Sequence, residues 1–311
     1  GGSGDDNTTT DSSSNSGASA TIAAGREDDD VTGTSGDDTV TFRAAEDAEE
    51  FNSLDLSSGN DTVVLEDMTS DVTPGDLNNV ENLEVQVESS GHTLDMANAG
   101  DDVDSVSVEA KGHSITISNV ESIGTVAVSG ADSELVTIGT IDSGNTVSLT
   151  ESDNAKITAG SVLTLNVNEV NDAVEVLATT ALTVDVADDT DNAFALTAAA
   201  VKSLIVTGDG ALTVTNDIGD SDLAAVTSFD ASAAGGHINV AVDGSGITDV
   251  DTGSAGDMLH IKTSAANAAY DTNGGNDTVE IDDFASGAVL NTGSGGDKIE
   301  HDAAQAASDQ K

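Results

Sequence analysis

Three stretches near the C-terminal end of the chain repeat one pattern: TGSAGDMLHI (252–261), TNGGNDTVEI (272–281) and TGSGGDKIEH (292–301). Each begins 20 residues after the previous one and combines a Gly-rich turn, an Asp and a short segment of alternating apolar and polar residues. A fixed repeat of this length is typical of solenoids, in which every repeat packs only on its neighbours. This interval constrains the fold more than any other feature of the sequence.

The same interval continues upstream as a ladder of short segments. One series contains LEVQV (83–87), SVSVE (105–109) and LTVDV (182–186), and a second series lies between its members, as in HTLDM (92–96) and AVEVL (173–177). Val, Ile and Leu alternate with Thr, Ser and Asp, which is the pattern of strands with one buried face. We therefore expect an all-β fold, a parallel β-solenoid or β-roll with coils of about 20 residues and strands about 4.8 Å apart.

The pattern divides the chain into four predicted regions. They are a disordered Ser/Thr-rich and acidic segment (1–30), an N-terminal capping region (31–82), the β-solenoid (83–301) and a C-terminal tail (302–311). Residues 1–30 contain too few apolar side chains to offset the entropy of an ordered chain. Within the other regions, residues 44–54 and the Ala-rich segment 194–204 are compatible with short helices.

The formal net charge is −50, from 58 acidic and 8 basic side chains. Such a chain repels nucleic acid and anionic lipid, so we expect neither as a partner, whereas cations are attracted. No apolar run reaches the roughly 18–20 residues of a membrane-spanning helix, so no membrane insertion is expected. A second explanation of the acidity is adaptation to a salty habitat, with solvated carboxylates and no specific cation. The sequence leaves open whether the chain is part of a longer protein.

The Gly-Asp turns suggest a metal site. If the coils stack in parallel, Asp257, Asp277 and Asp297 form one column, in which carboxylates about 5 Å apart repel each other unless a cation lies between them. Ca²⁺ binds six to eight oxygen ligands from carboxylates and carbonyls. Gly275, Gly295 and Asn276 would shape the turns and expose their carbonyls. The alternative is that Gly, Asn and Asp occur here only because β-turns require them.

Two more sets of residues belong to the predicted metal site. Asp251, Asp271 and Asn291 recur at the same interval and would form a second oxygen-bearing column. Near the N-terminus, GTSGDDTVT (33–41) and LSSGNDTVV (56–64) repeat the turn and contribute Asp38 and Asp61 as further candidate ligands.

These turns resemble the RTX nonapeptide G-G-x-G-x-D-x-U-x, which binds calcium in parallel β-rolls. The resemblance implies Ca²⁺ as the bound ion. The chain departs from the family in having a longer repeat than a typical RTX roll and in carrying the motif on one edge. We therefore expect one column of calcium ions and fewer ions than in a typical roll.

The wider ladder resembles bacterial RTX-type surface-layer (S-layer) proteins and other large secreted RTX proteins. The segments that carry this resemblance are NNVENLEVQV (78–87), VKSLIVTGDGALTVTN (201–216) and VTSFDASAAGGHINVAV (226–242). It implies a structural, extracellular protein that leaves the cell by type I secretion and assembles with copies of itself at the cell surface in a calcium-dependent manner. Cell-surface polysaccharide is a second candidate partner. The alternatives are a stalk or binding module of an RTX adhesin and the RTX tail of a secreted hydrolase.

The sequence offers no recognisable active site. The five histidines form no HExxH motif, and paired carboxylates have little specificity in so acidic a chain. The absence of cysteine removes thiolate metal sites and disulfides. An ice-binding solenoid would need a persistent Thr ladder, which the sequence lacks. We therefore predict that the chain is not an enzyme.

Overall fold

The computed structural model describes residues 21–24 (backbone only), 30–49 and 53–301. It is all-β, with 54% strand and 4% helix, and it confirms the predicted parallel β-solenoid. The chain divides into two compact units, Gly1–Ser148 and Leu149–Lys311. Most of the segment predicted to be disordered, and the predicted tail, lie outside the described residues. Within that first segment, a short strand forms at Thr21–Ala24.

The first unit contains eleven complete described strands and two 3₁₀ turns. The strands are β1 (Thr21–Ala24), β2 (Asp30–Thr32), β3 (Thr39–Phe42), β4 (Ser53–Asp55), β5 (Thr62–Met68), β6 (Leu77–Asn78), β7 (Asn82–Val87), β8 (His92–Asp95), β9 (Ser105–Glu109), β10 (Ile115–Ser118) and β11 (Thr125–Ile141). The 3₁₀ turns are Ala45–Glu49, inside a segment expected to be helix-compatible, and Met96–Asn98.

Parallel pairing stacks these strands coil on coil. Strands β1, β3, β5, β7, β9 and β11 follow one another in one ladder, and β8, β10 and β11 form another. Val40 is in register with Val63, and Val63 with Leu83; all three are fully buried, so one inward column forms the core. A third ladder, β2–β4–β6, was not predicted, because its two- and three-residue strands are too short to show an alternating pattern.

Strand β12 (Thr146–Ala159) includes the boundary between the units. The strands after it are β13 (Val162–Asn168), β14 (Ala173–Leu177), β15 (Ala181–Val186), β16 (Asp191–Thr197), β17 (Ser203–Gly208), β18 (Ala211–Val214), β19 (Ser228–Ala234), β20 (Ile238–Asp243), β21 (Asp249–Asp251), β22 (Met258–Thr263), β23 (Ala269–Asp271), β24 (Thr278–Ile281), β25 (Val289–Asn291) and β26 (Lys298–His301). A 3₁₀ turn forms at Ser221–Leu223.

Two parallel ladders alternate along the second unit. Odd-numbered strands from β13 to β25 form one ladder, and even-numbered strands from β14 to β26 form the other. The Ala-rich segment 194–204 is not helical: it contains the end of β16 and the start of β17, because Phe194 and Leu196 point inward. Each buried Val or Leu side chain stabilises the fold by about 1.5–3 kcal/mol. The contacts that bury it come from the neighbouring coils. None of the described residues forms a helix long and apolar enough to cross a membrane.

Candidate carboxylate columns

The three C-terminal Gly-Asp turns stack in the register predicted from the sequence. The backbone N–H of Asp257 donates to Oδ1 of Asp277 at 2.8 Å, and the N–H of Asp277 donates to Oδ1 of Asp297 at 3.3 Å. Each bond spans 20 residues, which is one coil. Asp257 and Asp277 are 2% and 1% exposed, whereas Asp297, on the last described coil, is less buried. The structure therefore brings these three predicted residues together in one column.

This column occupies an inward position of the solenoid. Leu212 pairs with Ile238 one coil later, and both are buried. Asp257 follows in the same column, since the N–H of Ile238 donates to its Oδ1 at 2.8 Å. Carboxylates thus take positions that apolar side chains fill in the preceding coils. Burial raises the pKa of the Asp257 carboxyl, although the N–H groups of Ile238 and Gly253 act in the opposite direction.

The two central carboxylates differ in how their oxygens are satisfied. Both oxygens of Asp257 accept backbone hydrogen bonds, from Ile238 and from Gly253, each at 2.8 Å. Asp277 uses only Oδ1, and its buried Oδ2 has no hydrogen-bond partner. Buried polar oxygens nearly always have partners, so an unpartnered one is where a cation or a water molecule is expected.

At the glycines the backbone lies so close to oxygen atoms of the neighbouring turn that a side chain would not fit. Gly275 has φ +140°, and a Cβ added there would lie 2.0 Å from the carbonyl oxygen of Ala255 and 2.9 Å from Oδ1 of Asp277. At Gly295, with φ +147°, a Cβ would meet the Gly275 carbonyl oxygen at 1.4 Å and Oδ1 of Asp297 at 3.2 Å. Asn276 is exposed, and its Oδ1 accepts the N–H of the next coil's Gly296, so it stabilises the turn. The backbone alone therefore requires glycine here, although the surrounding atoms are carbonyl and carboxylate oxygens, the donor type that a hard cation prefers.

The second predicted column lies on the other ladder of the unit. Asp251, Asp271 and Asn291 are in register on β21, β23 and β25, and Nδ2 of Asn291 donates to Oδ2 of Asp271 at 2.8 Å. Asp230, which the sequence interpretation missed, precedes Asp251 in the same register. Burial raises the pKa of the Asp251 carboxyl, and the charges of Asp249, Asp230 and Asp271 raise it further.

The first unit contains a column of its own. The N–H of Asp38 donates to Oδ1 of Asp61, and the N–H of Asp61 donates to Oε2 of Glu81, both at 2.7 Å. Asp38 and Asp61 are 1% and 0% exposed. Glu81 was missed because no Gly-rich turn precedes it; its position 20 residues after Asp61 is the signal that could have identified it.

Asp61 is the most perturbed carboxyl of this column. Burial raises its pKa to about 6; the N–H of Asp38 acts in the opposite direction, and the charges of Asp38, Glu81 and Asp37 raise it further. Its buried Oδ2 has no hydrogen-bond partner. A Cβ on Gly59 would lie 2.5 Å from the Gly36 carbonyl oxygen and 2.7 Å from Oδ1 of Asp61. The unpartnered carboxylate oxygen and the close glycine contact of the second unit therefore recur here.

The described residues contain no group of three or more His, Cys, Asp or Glu side chains that could hold a metal ion by themselves. A cation at these turns would therefore need backbone carbonyl oxygens beside one or two carboxylates. The carbonyls of Gly36, Ala255 and Gly275 lie against the glycines of these turns. This donor set, all oxygen and mixed in type, fits Ca²⁺ better than a transition metal.

One Ser-His-Asp arrangement occurs at the turn between β7 and β8. Nε2 of His92 lies 2.9 Å from the Ser89 hydroxyl, and Nδ1 lies 3.5 Å from Oδ1 of Asp71. The Asp71 side chain is 74% exposed, and its Oδ1 also accepts the N–H of Thr93. A catalytic triad depends on a buried Asp that fixes the imidazole. These bonds instead hold a surface turn in place.

No protein-family model matches the chain, and no curated protein or solved structure is significantly similar to it. The resemblance to RTX proteins therefore depends on the motifs quoted above.

Proposed function

We propose that this chain is a structural protein of the bacterial cell surface: an extracellular β-solenoid that calcium orders and that assembles with copies of itself into a surface layer. The observation that carries the proposal is the unpartnered oxygen of two buried carboxylates, Asp61 and Asp277, each in a stacked Gly-Asp turn. The parallel solenoid is compatible with this role, and the resemblance to RTX proteins supports it.

The proposed mechanism is electrostatic. Asp61 and Asp277 hold charge inside the solenoid, where desolvation opposes it, and the chain as a whole has a formal net charge of −50. Without a cation these terms lower the free energy of unfolding and increase the expanded fraction of the chain, which suits export. A bound Ca²⁺ supplies the positive charge that offsets the desolvation cost, so binding and folding are linked. Extracellular calcium modules typically bind at about 10⁻⁴–10⁻³ M, a range that separates the outside of the cell from the cytosol.

The residues have different proposed roles. Asp61 and Asp277 would bind the cation through their free Oδ2 atoms, with backbone carbonyls of the turns as further ligands. Asp38 in the first unit, and Asp257 and Asp297 in the second, align the stacked turns of their own columns through backbone hydrogen bonds. Gly275, Gly295 and Asn276 fix the turn geometry of the second unit. In the second column, Asp251 and Asp271 would attract cations to the face of the sheet.

The proposed partners are other copies of the chain and, as an anchor, cell-surface polysaccharide. An adhesin stalk is the alternative that shares the fold and the calcium requirement. Negative-stain electron microscopy separates the two, because a surface-layer protein forms ordered sheets with calcium and a stalk remains monomeric.

A calcium titration followed by circular dichroism tests the proposal, with magnesium and sodium as control ions. The β signal and the thermal midpoint should rise with calcium in the wild type. Asp277→Asn should raise the calcium concentration required at least about tenfold, since a charged ligand is lost. Asp257→Asn is the matched control: both of its oxygens already accept backbone N–H groups, so it should lower the thermal midpoint but leave the increase of that midpoint on calcium addition unchanged. A chain that is fully folded in chelator and unaffected by calcium would contradict the proposal.

A further inference from the structure

The five Gly-Asp turns differ in where one backbone N–H group donates. This group, the turn amide, belongs to the residue four positions before the turn Asp. In the turns of Asp38 and Asp257, the turn amides of Thr34 and Gly253 donate to Oδ2 of the turn Asp itself. Neither Thr34 nor Gly253 has a positive φ. In these two turns a hydrogen bond from the protein therefore already occupies Oδ2.

In the turn of Asp61 the turn amide donates elsewhere. It belongs to Ser57, which has the left-handed conformation with φ +73°. Its N–H donates to Oδ1 of Asp55 at 3.0 Å, and Oδ2 of Asp61 is left without a partner. A residue other than glycine seldom adopts a positive φ, and an Asp that accepts the N–H two residues later stabilises such a turn.

The turn of Asp277 repeats this arrangement in the second unit. Asn273 has φ +55°, and its N–H donates to Oδ1 of Asp271 at 2.8 Å. Oδ2 of Asp277 is again buried and unpartnered. In the last described turn, Gly293 has φ +68° and donates to Oδ1 of Asn291 at 3.1 Å, so an amide oxygen can accept the turn amide in place of a carboxylate.

We propose that Asp55 and Asp271 are positioning residues for the cation. Each accepts the turn amide of its own turn and thereby leaves Oδ2 of the turn Asp available as a ligand. This role deepens the proposed function and rests on it. Residues that orient a ligand without touching the metal commonly change metal affinity 10–100-fold.

The turn of Asp257 shows that the two arrangements compete for one N–H group. Asp251 is in register with Asp271 one coil later, yet the N–H of Gly253 donates to Asp257. A turn with a carboxylate at the positioning site can therefore also direct its turn amide to the turn Asp. A buried carboxylate oxygen gains a partner in that arrangement. Loss of the positioning carboxylate should thus return the turn amide to Oδ2 and oppose cation binding.

Asp55 allows a test at constant charge, because its side chain is exposed and forms no part of the core. Asp55→Ala removes the acceptor, whereas Asp55→Asn removes the same charge but keeps Oδ1. The reporter is the amide of Asp38, which donates to Oδ1 of Asp61. Its hydrogen exchange is followed by NMR in the full chain during a calcium titration. Asp55→Ala should need at least about tenfold more calcium than Asp55→Asn for half-maximal protection.

The same two variants should differ in another way in chelator. There Asp55→Ala should protect the Asp38 amide at least as well as Asp55→Asn does, because Oδ2 of Asp61 gains the turn amide as a partner. A residue that only held the turn in place would lower protection in both conditions when its acceptor is lost. Weaker protection of Asp55→Ala in chelator would therefore overturn the positioning role.

The second unit offers an independent matched pair. Asp271→Ala and Asp251→Ala each remove one carboxylate from the same column, but of the two residues only Asp271 accepts a turn amide. The reporter is the amide of Asp257, which donates to Oδ1 of Asp277. The calcium concentration for its half-maximal protection should be at least about tenfold higher in Asp271→Ala than in Asp251→Ala.

The tenfold differences in both units support the positioning role. Equal calcium requirements of the two Asp55 variants, or of Asp271→Ala and Asp251→Ala, overturn it. If the wild type still gains protection with calcium in that case, the proposed function stands and the positioning role alone is wrong. Protection in the wild type that does not respond to calcium overturns both.

Discussion

Protonation of Asp61 should stabilise the first unit when calcium is removed. The carboxyl is fully buried, and its pKa rises from 3.8 to about 6 on folding. The folded state therefore binds this proton more tightly than the unfolded state does, so stability increases as pH falls through about 6. At pH 7.5 the ionised group costs about 3 kcal/mol, at about 1.4 kcal/mol per pKa unit. Acidification from pH 7.5 to 5.0 should recover about 1.4 kcal/mol of this cost.

Hydrogen exchange measures this change locally, which suits a repeat fold whose coils open separately. The reporter is the amide of Asp38, which donates to Oδ1 of Asp61. In chelator, its protection factor, corrected for the intrinsic pH dependence of exchange, should be about tenfold higher at pH 5.0 than at pH 7.5. In the Asp61→Asn variant this part of the pH dependence should disappear, because no group titrates at that position.

Asp101→Asn is the control, since it removes an exposed carboxylate from the same unit and should retain the wild-type pH dependence. Saturating calcium should also abolish the effect in the wild type, because the bound cation and the proton compete for the same carboxylate. Equal pH dependence in the wild type and in Asp61→Asn would refute the reasoning.

The structure supports three further predictions about stability. Gly275→Ala should cost about 1–3 kcal/mol in denaturant unfolding, because its φ of +140° and the Ala255 carbonyl exclude a side chain. Gly246→Ala is the control: a Cβ added there has no atom within 4 Å, so stability should change by less than about 0.5 kcal/mol. Phe229→Ala removes a fully buried ring and should cost about 3–5 kcal/mol by the same measurement. Lys262→Ala breaks a partly exposed ion pair with Asp217, 2.7 Å long, and should cost no more than about 1 kcal/mol, a cost that 1 M salt should reduce. A loss of about 3 kcal/mol in Lys262→Ala would contradict the weak contribution expected of this ion pair. No loss in Phe229→Ala would contradict the contribution expected of the buried core.

The sequence predicted the alignment of Asp257, Asp277 and Asp297 because two periodicities determine it. The 20-residue interval sets which residues share a column, and the period of two within each strand sets which side chains point inward. Both periodicities can be read from a single sequence without knowledge of its three-dimensional contacts. The same reasoning predicted the two ladders of strands from about residue 83 onward.

Other features depend on contacts that no local pattern encodes. Glu81 continues the column of Asp61 although it lacks a Gly turn, since the coil offset alone places its carboxylate near the N–H of Asp61. Likewise, the sequence could not distinguish Asp257, whose oxygens are both satisfied, from Asp277, whose Oδ2 is free. That difference arises from the N–H groups of Ile238 and Gly253, which belong to the neighbouring coil and to the turn.

The central claim is that Asp61 and Asp277 bind a cation through their unpartnered oxygens. The most direct measurement is anomalous diffraction from crystals of the chain grown with calcium and then exchanged into terbium, which replaces calcium at oxygen sites. The account predicts anomalous peaks about 2.3–2.6 Å from carboxylate oxygens of both residues, and their loss in the Asp61→Asn and Asp277→Asn variants. Ordered density for both turns with no peak beside either carboxylate would contradict it and leave the Gly-Asp columns as structural turns.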